Sequence, residues 1–123
     1  MGLFCSKRKK EQKIVASLTD RVQVILQKMD AYLVNWSPSF LTTSDIYTDV
    51  EQTSKKYCEM LKNVWNWTKA MPINSGSEPY IKRLEGSLAD LRESYYKPHG
   101  LTAVMYAIDS MWACVTEWSE NKY

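Results

Sequence analysis

An all-α fold, a compact bundle of about four helices behind a flexible basic N-terminal tail, is what this 123-residue sequence predicts. Three observations carry the prediction. Apolar residues recur at three- and four-residue spacing in four long segments. Each proline stands at a boundary between those segments, and none of them alternates with the period of two that a half-buried strand requires. Hydrophobic residues make up 45% of the chain and charged residues 24%, a balance that excludes a disordered chain, a collagen or a disulfide-dense miniprotein. The length suits one domain, placed at residues 10–123, with residues 1–9 as the tail. No run approaches the roughly 18 apolar residues that a membrane-spanning helix needs.

The first helix is expected from about Lys10 to Trp36, where Ile14, Leu18, Val22, Ile25, Met29, Tyr32, Leu33 and Trp36 form one stripe before Ser37-Pro38-Ser39 stops it. The second is expected to start at Thr43-Ser44-Asp45, good N-cap chemistry, and to run to about Met71 before Pro72. Its stripe is Ile46, Val50, Tyr57, Leu61, Val64, Trp65 and Thr68. After the loop Asn74-Ser75-Gly76-Ser77, a third helix is expected over Pro79 to Tyr96, with Ile81, Leu84, Leu88, Leu91 and Tyr95 inward. Lys97-Pro98-His99-Gly100 breaks the chain again, and the last helix covers about Leu101 to Ser119, carrying Val104, Met105, Ile108, Met111, Trp112 and Val115. Short loops imply antiparallel neighbours. The five tryptophans and eight tyrosines fill the core and its rim, with Trp67 and Trp118 fitting the buried stripes least well.

Charge is unevenly placed. Residues 1–13 hold five basic side chains, Lys7, Arg8, Lys9, Lys10 and Lys13, against the single acid Glu11, whereas the remaining residues carry more acids than bases. A basic tail on a mildly acidic body suits a segment that seeks anionic lipid or nucleic acid. The chain opens Met1-Gly2-Leu3-Phe4-Cys5-Ser6-Lys7, which fits the N-myristoylation pattern. The acyl group goes onto the freed amine of Gly2, and Ser6 and Lys7 suit the rest of the transferase channel. One myristoyl chain binds membrane with K of roughly 10⁴ M⁻¹, about 5 kcal/mol, so a second signal is needed. The five basic residues supply one, at up to about 1 kcal/mol each near an anionic leaflet. Cys5 offers palmitate as a third signal, and Leu3 and Phe4 can insert beside the acyl chain.

Residues 2–13 resemble the acylated, lysine-rich leader of Src-family kinases, and equally the start of many retroviral matrix proteins. The kinases' large additional domains have no counterpart here, so only their anchoring logic carries over. The matrix resemblance implies a structural and assembly protein that coats the inner face of a membrane and self-associates weakly. It also implies release from a longer polyprotein after Tyr123. The expected location is the cytoplasmic face of the plasma membrane or another anionic membrane, with a soluble cytosolic pool. The alternative is a small membrane-anchored adaptor that recruits a cytosolic protein partner through an exposed groove or tryptophan.

Other chemistry is sparse. No glycine-rich phosphate loop, HExxH, CxxC or paired-carboxylate motif occurs, and His99 sits in a Pro-Gly loop, so no catalytic residue, metal ligand or cofactor beyond the covalent lipid is expected. Cys58 and Cys114 fall inside apolar segments and read as buried free thiols in a reducing compartment. Lys55, Lys62 and Lys69 recur every seven residues on one helix face, either a salt-bridged solvated face with Glu59 as a partner or a second membrane-facing basic strip. RNA ranks below lipid as a partner because no base-stacking module is present. A slot lined by aromatic and methionine side chains, sequestering the acyl chain until docking, is the alternative use of the aromatics.

Overall fold

The computed structural model describes residues 2–38 and 49–121, with side chains of the first helix from Arg8 onward. Its elements are helix α1 (Gly2–Val34), α2 (Val50–Ala70), a 3-10 turn at Ser75–Ser77, α3 (Glu78–Tyr95) and α4 (Leu101–Glu120), with no strand among the described residues. The all-α, four-helix prediction therefore holds. The first helix starts earlier than its apolar stripe, at Gly2 instead of Lys10. The reason lies in composition: no proline occurs between residues 2 and 34 and no glycine after Gly2, while Lys, Arg, Leu, Gln and Glu are good helix formers. At 1.5 Å per residue, the 33 residues of α1 extend about 50 Å.

The boundaries follow from capping chemistry. Asp49, not residues 43–45, caps α2: its Oδ1 accepts from the Gln52 N–H at 2.9 Å. Thr43, Ser44, Asp45 and Ile46 lie outside the described residues. Met71 is extended ahead of Pro72, as a residue before proline prefers, and ends α2. Asn74 and Ser77 cap each other across the 3-10 turn, the Asn74 N–H donating to Ser77 Oγ at 3.0 Å and the Gly76 N–H to Asn74 Oδ1 at 2.8 Å. Between α3 and α4 the chain passes through the left-handed region at His99 (φ 65°), a conformation that histidine tolerates better than most side chains.

Two glycines in or next to these helices have opposite requirements. A Cβ on Gly100 would collide with the Ser94 carbonyl oxygen, whereas one on Gly86, inside α3, meets nothing within 4 Å. Gly86→Ala is therefore expected to stabilise the fold by about 0.5–1 kcal/mol through helix propensity. Gly100→Ala should destabilise it, and thermal denaturation of the two variants shows the opposite signs.

Cross-contacts give the topology. Trp36 Nε1 donates to Ser54 Oγ at 2.7 Å and Trp65 Nε1 to the Leu26 carbonyl at 3.2 Å, so α1 and α2 run antiparallel. Tyr80 at the start of α3 stacks on Trp118 at the end of α4, and the short connection from Tyr95 to Leu101 joins their other ends, so α3 and α4 are antiparallel too. Along α1, however, Glu11 meets Ser75, Arg21 meets Glu78 and Glu85, and Tyr32 packs on Tyr95. Both chains ascend together, and α1 and α3 are parallel neighbours. The expectation of antiparallel neighbours thus holds for sequential helices only. Two antiparallel hairpins lie side by side, α1 against α3 and α2 against α4.

The core is one cluster from all four helices, with Met29, Leu61, Val64, Ile81, Leu84, Leu91, Val104, Ile108 and Met111 fully buried. Three assignments change. Ile14 is 44% exposed, because here α1 faces the short turn at 75–77, whereas Leu26, outside the expected stripe, is buried. Trp118, expected among the exposed tryptophans, is 2% exposed and stacks on Tyr80 with centroids 5.8 Å apart and planes 2° apart. Trp67, at 40%, stays exposed and meets Trp112 edge-on. Cys114 is buried, and burial pushes its thiol up to about 11, while Cys58 is only half-buried.

Candidate membrane-binding arm

The sequence-predicted anchor lies on the free end of α1. Among the described side chains Leu18 is the first buried one of that helix, and Arg8, Lys9, Lys10 and Lys13 before it are all exposed. None of the four has a carboxylate partner among the described residues. With a turn of about 100° per residue, these four cations point to widely separated directions around the helix. From Arg8 to Lys13 the arm is thus positive on several sides. Gly2, Leu3, Phe4, Cys5, Ser6 and Lys7 belong to the helical backbone, and their side chains lie outside the described residues.

Two contacts set the arm on the bundle. Glu11 Oε1 accepts from the Ser75 N–H at 3.2 Å, which levels Glu11 with the end of the α2–α3 connection. Arg21 forks onto α3, giving Nη2 to Glu85 Oε1 at 2.5 Å, Nε to Glu85 Oε2 at 3.1 Å and Nη1 to Glu78 Oε2 at 2.6 Å. The hydrogen bond from Arg21 holds the Glu85 carboxyl below the usual carboxylate range. All three side chains are between a third and a half exposed, so solvent screening limits each pair to about 1 kcal/mol or less. The bidentate geometry chiefly fixes how α1 lies on α3, and with it the direction of the arm.

The three lysines of α2 occupy one exposed face, as their spacing predicts, but each has a local partner. Lys55 pairs with Glu51 at 3.9 Å, Lys62 with Glu59 at 3.3 Å, and Lys69 Nζ stands 5.0 Å from the centre of the Trp65 ring. They span 14 residues, about 21 Å along the bundle axis, with Lys69 nearest the arm.

A groove of about 780 Å³ between α1 and α3 is lined by Tyr32, Leu88 and Tyr96 together with Lys28, Glu85 and Arg92. It is the aromatic slot closest to the sequence expectation, yet Tyr32 stands 30 residues from Gly2 on one continuous helix, about 45 Å away. A 14-carbon chain on Gly2 would not cross that distance while α1 is intact.

Among the described residues, no cluster of histidine, cysteine or acidic side chains could hold a metal ion, and no helix is long and apolar enough to cross a membrane. No family model matches the chain, and no curated protein or solved structure matches it.

Proposed function

We propose that this chain is an N-myristoylated peripheral membrane protein of the matrix type, a structural and assembly protein whose helical bundle is carried to the inner face of an anionic membrane by its arm. The observation that carries the reading is the coincidence of an acylation pattern at Gly2 to Ser6 with four exposed, carboxylate-free cations on the same projecting helix, Arg8, Lys9, Lys10 and Lys13. The acyl chain and the basic residues each contribute up to about 5 kcal/mol, and together they exceed the marginal binding of either alone. In this reading Cys5 is a site for a second acyl chain.

The electrostatic half has its own test. Replacing Lys7, Arg8, Lys9 and Lys10 by glutamine should weaken binding to phosphatidylserine-containing vesicles by up to about 4 kcal/mol at low salt, with the loss shrinking as salt rises. Vesicle sedimentation across a salt series measures it. Binding that ignores both the substitution and the salt leaves the two-signal reading without support.

A second reading, a membrane-anchored adaptor for a cytosolic protein, draws on Trp67, which remains 40% exposed beside Trp112. Sedimentation equilibrium separates the two. A matrix-type protein associates with itself at high concentration, whereas an adaptor stays monomeric.

A further inference from the structure

Apolar and basic groups are concentrated at one end of the bundle. Because α2 descends where α1 ascends, the last turn of α2, the connection at 71–77, the first turns of α3 and the last turn of α4 gather at the arm end. Trp65, Trp67, Trp112 and Trp118, four of the five tryptophans, lie in that half. Between Asn66 and Leu84 the only acid is Glu78, and Arg21 holds it at 2.6 Å. Lys69 and Lys82 are exposed in the same stretch without a carboxylate partner among the described residues. At the tip, exposed Pro72 stands between half-buried Met71 and Ile73.

We infer that this end is a second membrane contact, which seats the bundle end-on against an anionic bilayer through Lys69, Lys82, Trp67 and the apolar tip at 71–73. The inference rests on the acylated-arm reading above and specifies which bundle surface meets the lipid. Charge complementarity supports it over residues 66–84, where Lys69 and Lys82 have no carboxylate partner among the described residues and Arg21 holds the one acid, Glu78. Glu11 and Glu120 at the same end are carboxylates that the cations of the arm outnumber. Partly exposed tryptophans suit the bilayer interface, where an apolar ring and a polar N–H are both accommodated.

The dimensions require the arm to lean. Glu11 is level with Ser75, and Gly2 lies nine residues further out, about 14 Å along the helix. The headgroup layer of one leaflet is about 5–7 Å thick. With Gly2 at the hydrocarbon boundary and the arm upright, the 71–77 connection stands roughly 7–9 Å beyond the headgroups, about one Debye length at physiological salt. Tilting the arm brings the tip into contact. A side-on arrangement along Lys55, Lys62 and Lys69 is less complementary, since Glu51 and Glu59 lie on that surface and already engage two of the lysines.

The test compares variants with the same charge change at the two places. Myristoylated full-length protein is bound to phosphatidylcholine vesicles with and without phosphatidylserine at low salt. Lys69→Gln with Lys82→Gln should weaken binding to the phosphatidylserine vesicles about tenfold or more, since each lysine contributes up to about fivefold. Lys55→Gln with Lys62→Gln should leave affinity within about twofold. Vesicles carrying brominated acyl chains should also quench wild-type tryptophan emission, and Trp67→Phe should remove most of that quenching. The reverse order of affinities would establish side-on docking, and equal affinities with no quenching would leave the arm as the only contact; either overturns the inference and spares the arm. Wild-type protein that binds neither vesicle overturns the arm reading itself.

Discussion

Gly2→Ala is expected to release the protein from membranes while leaving the bundle folded. Gly2 is the first residue of α1, sixteen positions before Leu18, the first buried side chain of that helix among the described residues, so alanine there leaves the described core untouched. What is lost is the amine geometry that accepts the acyl chain, and with it about 5 kcal/mol of bilayer affinity, a fall in partition on the order of a thousandfold. The basic residues remain, so the variant should keep weak, salt-sensitive binding to anionic vesicles and none to neutral ones. Membrane flotation of both proteins from cells, with circular dichroism to verify folding, gives the comparison. A Gly2→Ala protein that floats like wild type would show that the lipid signal is not at this glycine.

Trp118→Ala should cost about 3–5 kcal/mol of folding stability, a large share of what a domain of this size possesses. The ring is 2% exposed and lies flat on Tyr80, tying the end of α4 to the start of α3. Trp67→Ala removes a ring that is 40% exposed and an edge contact with Trp112 at 5.9 Å, and should cost no more than about 1.5 kcal/mol. In thermal denaturation the first variant should melt on the order of 10–20 °C lower, and the second only a few degrees lower. Similar shifts for the two would contradict the division of these tryptophans into a structural one and a surface one.

That division marks the limit of what the sequence displays. Four helices, the breaks at 71–77 and 96–100 and most of the core were legible because period and breakers agree: Leu18, Val22, Ile25 and Met29 in α1, and Ile81, Leu84, Leu88 and Leu91 in α3, are buried as spaced. Trp118 was legible too, since it continues Val104, Ile108, Met111 and Val115 by three residues; the polar company of Ser119 and Glu120 hid it. The parallel pairing of α1 with α3 was not legible, because short loops fix only the relation between sequential helices. Its signal is the reach of Arg21 to Glu78 and Glu85, 57 and 64 residues away, which no local spacing reveals. For the arm, the pattern at Gly2 to Ser6 and the cluster at 7–13 are plain in sequence. That the helix continues through them follows only from noticing that nothing interrupts it. The position of Lys69 at the arm end, with Lys55 about 21 Å away, required the fold.

The most direct test of the central claim is metabolic labelling with an alkyne-tagged myristate, on wild type and Gly2→Ala, read as label on the purified chain. The account predicts label on wild type, mapped to the N-terminal peptide, and none on the variant. An unlabelled wild type would contradict it, and the basic arm would then have to be explained by a partner other than a membrane.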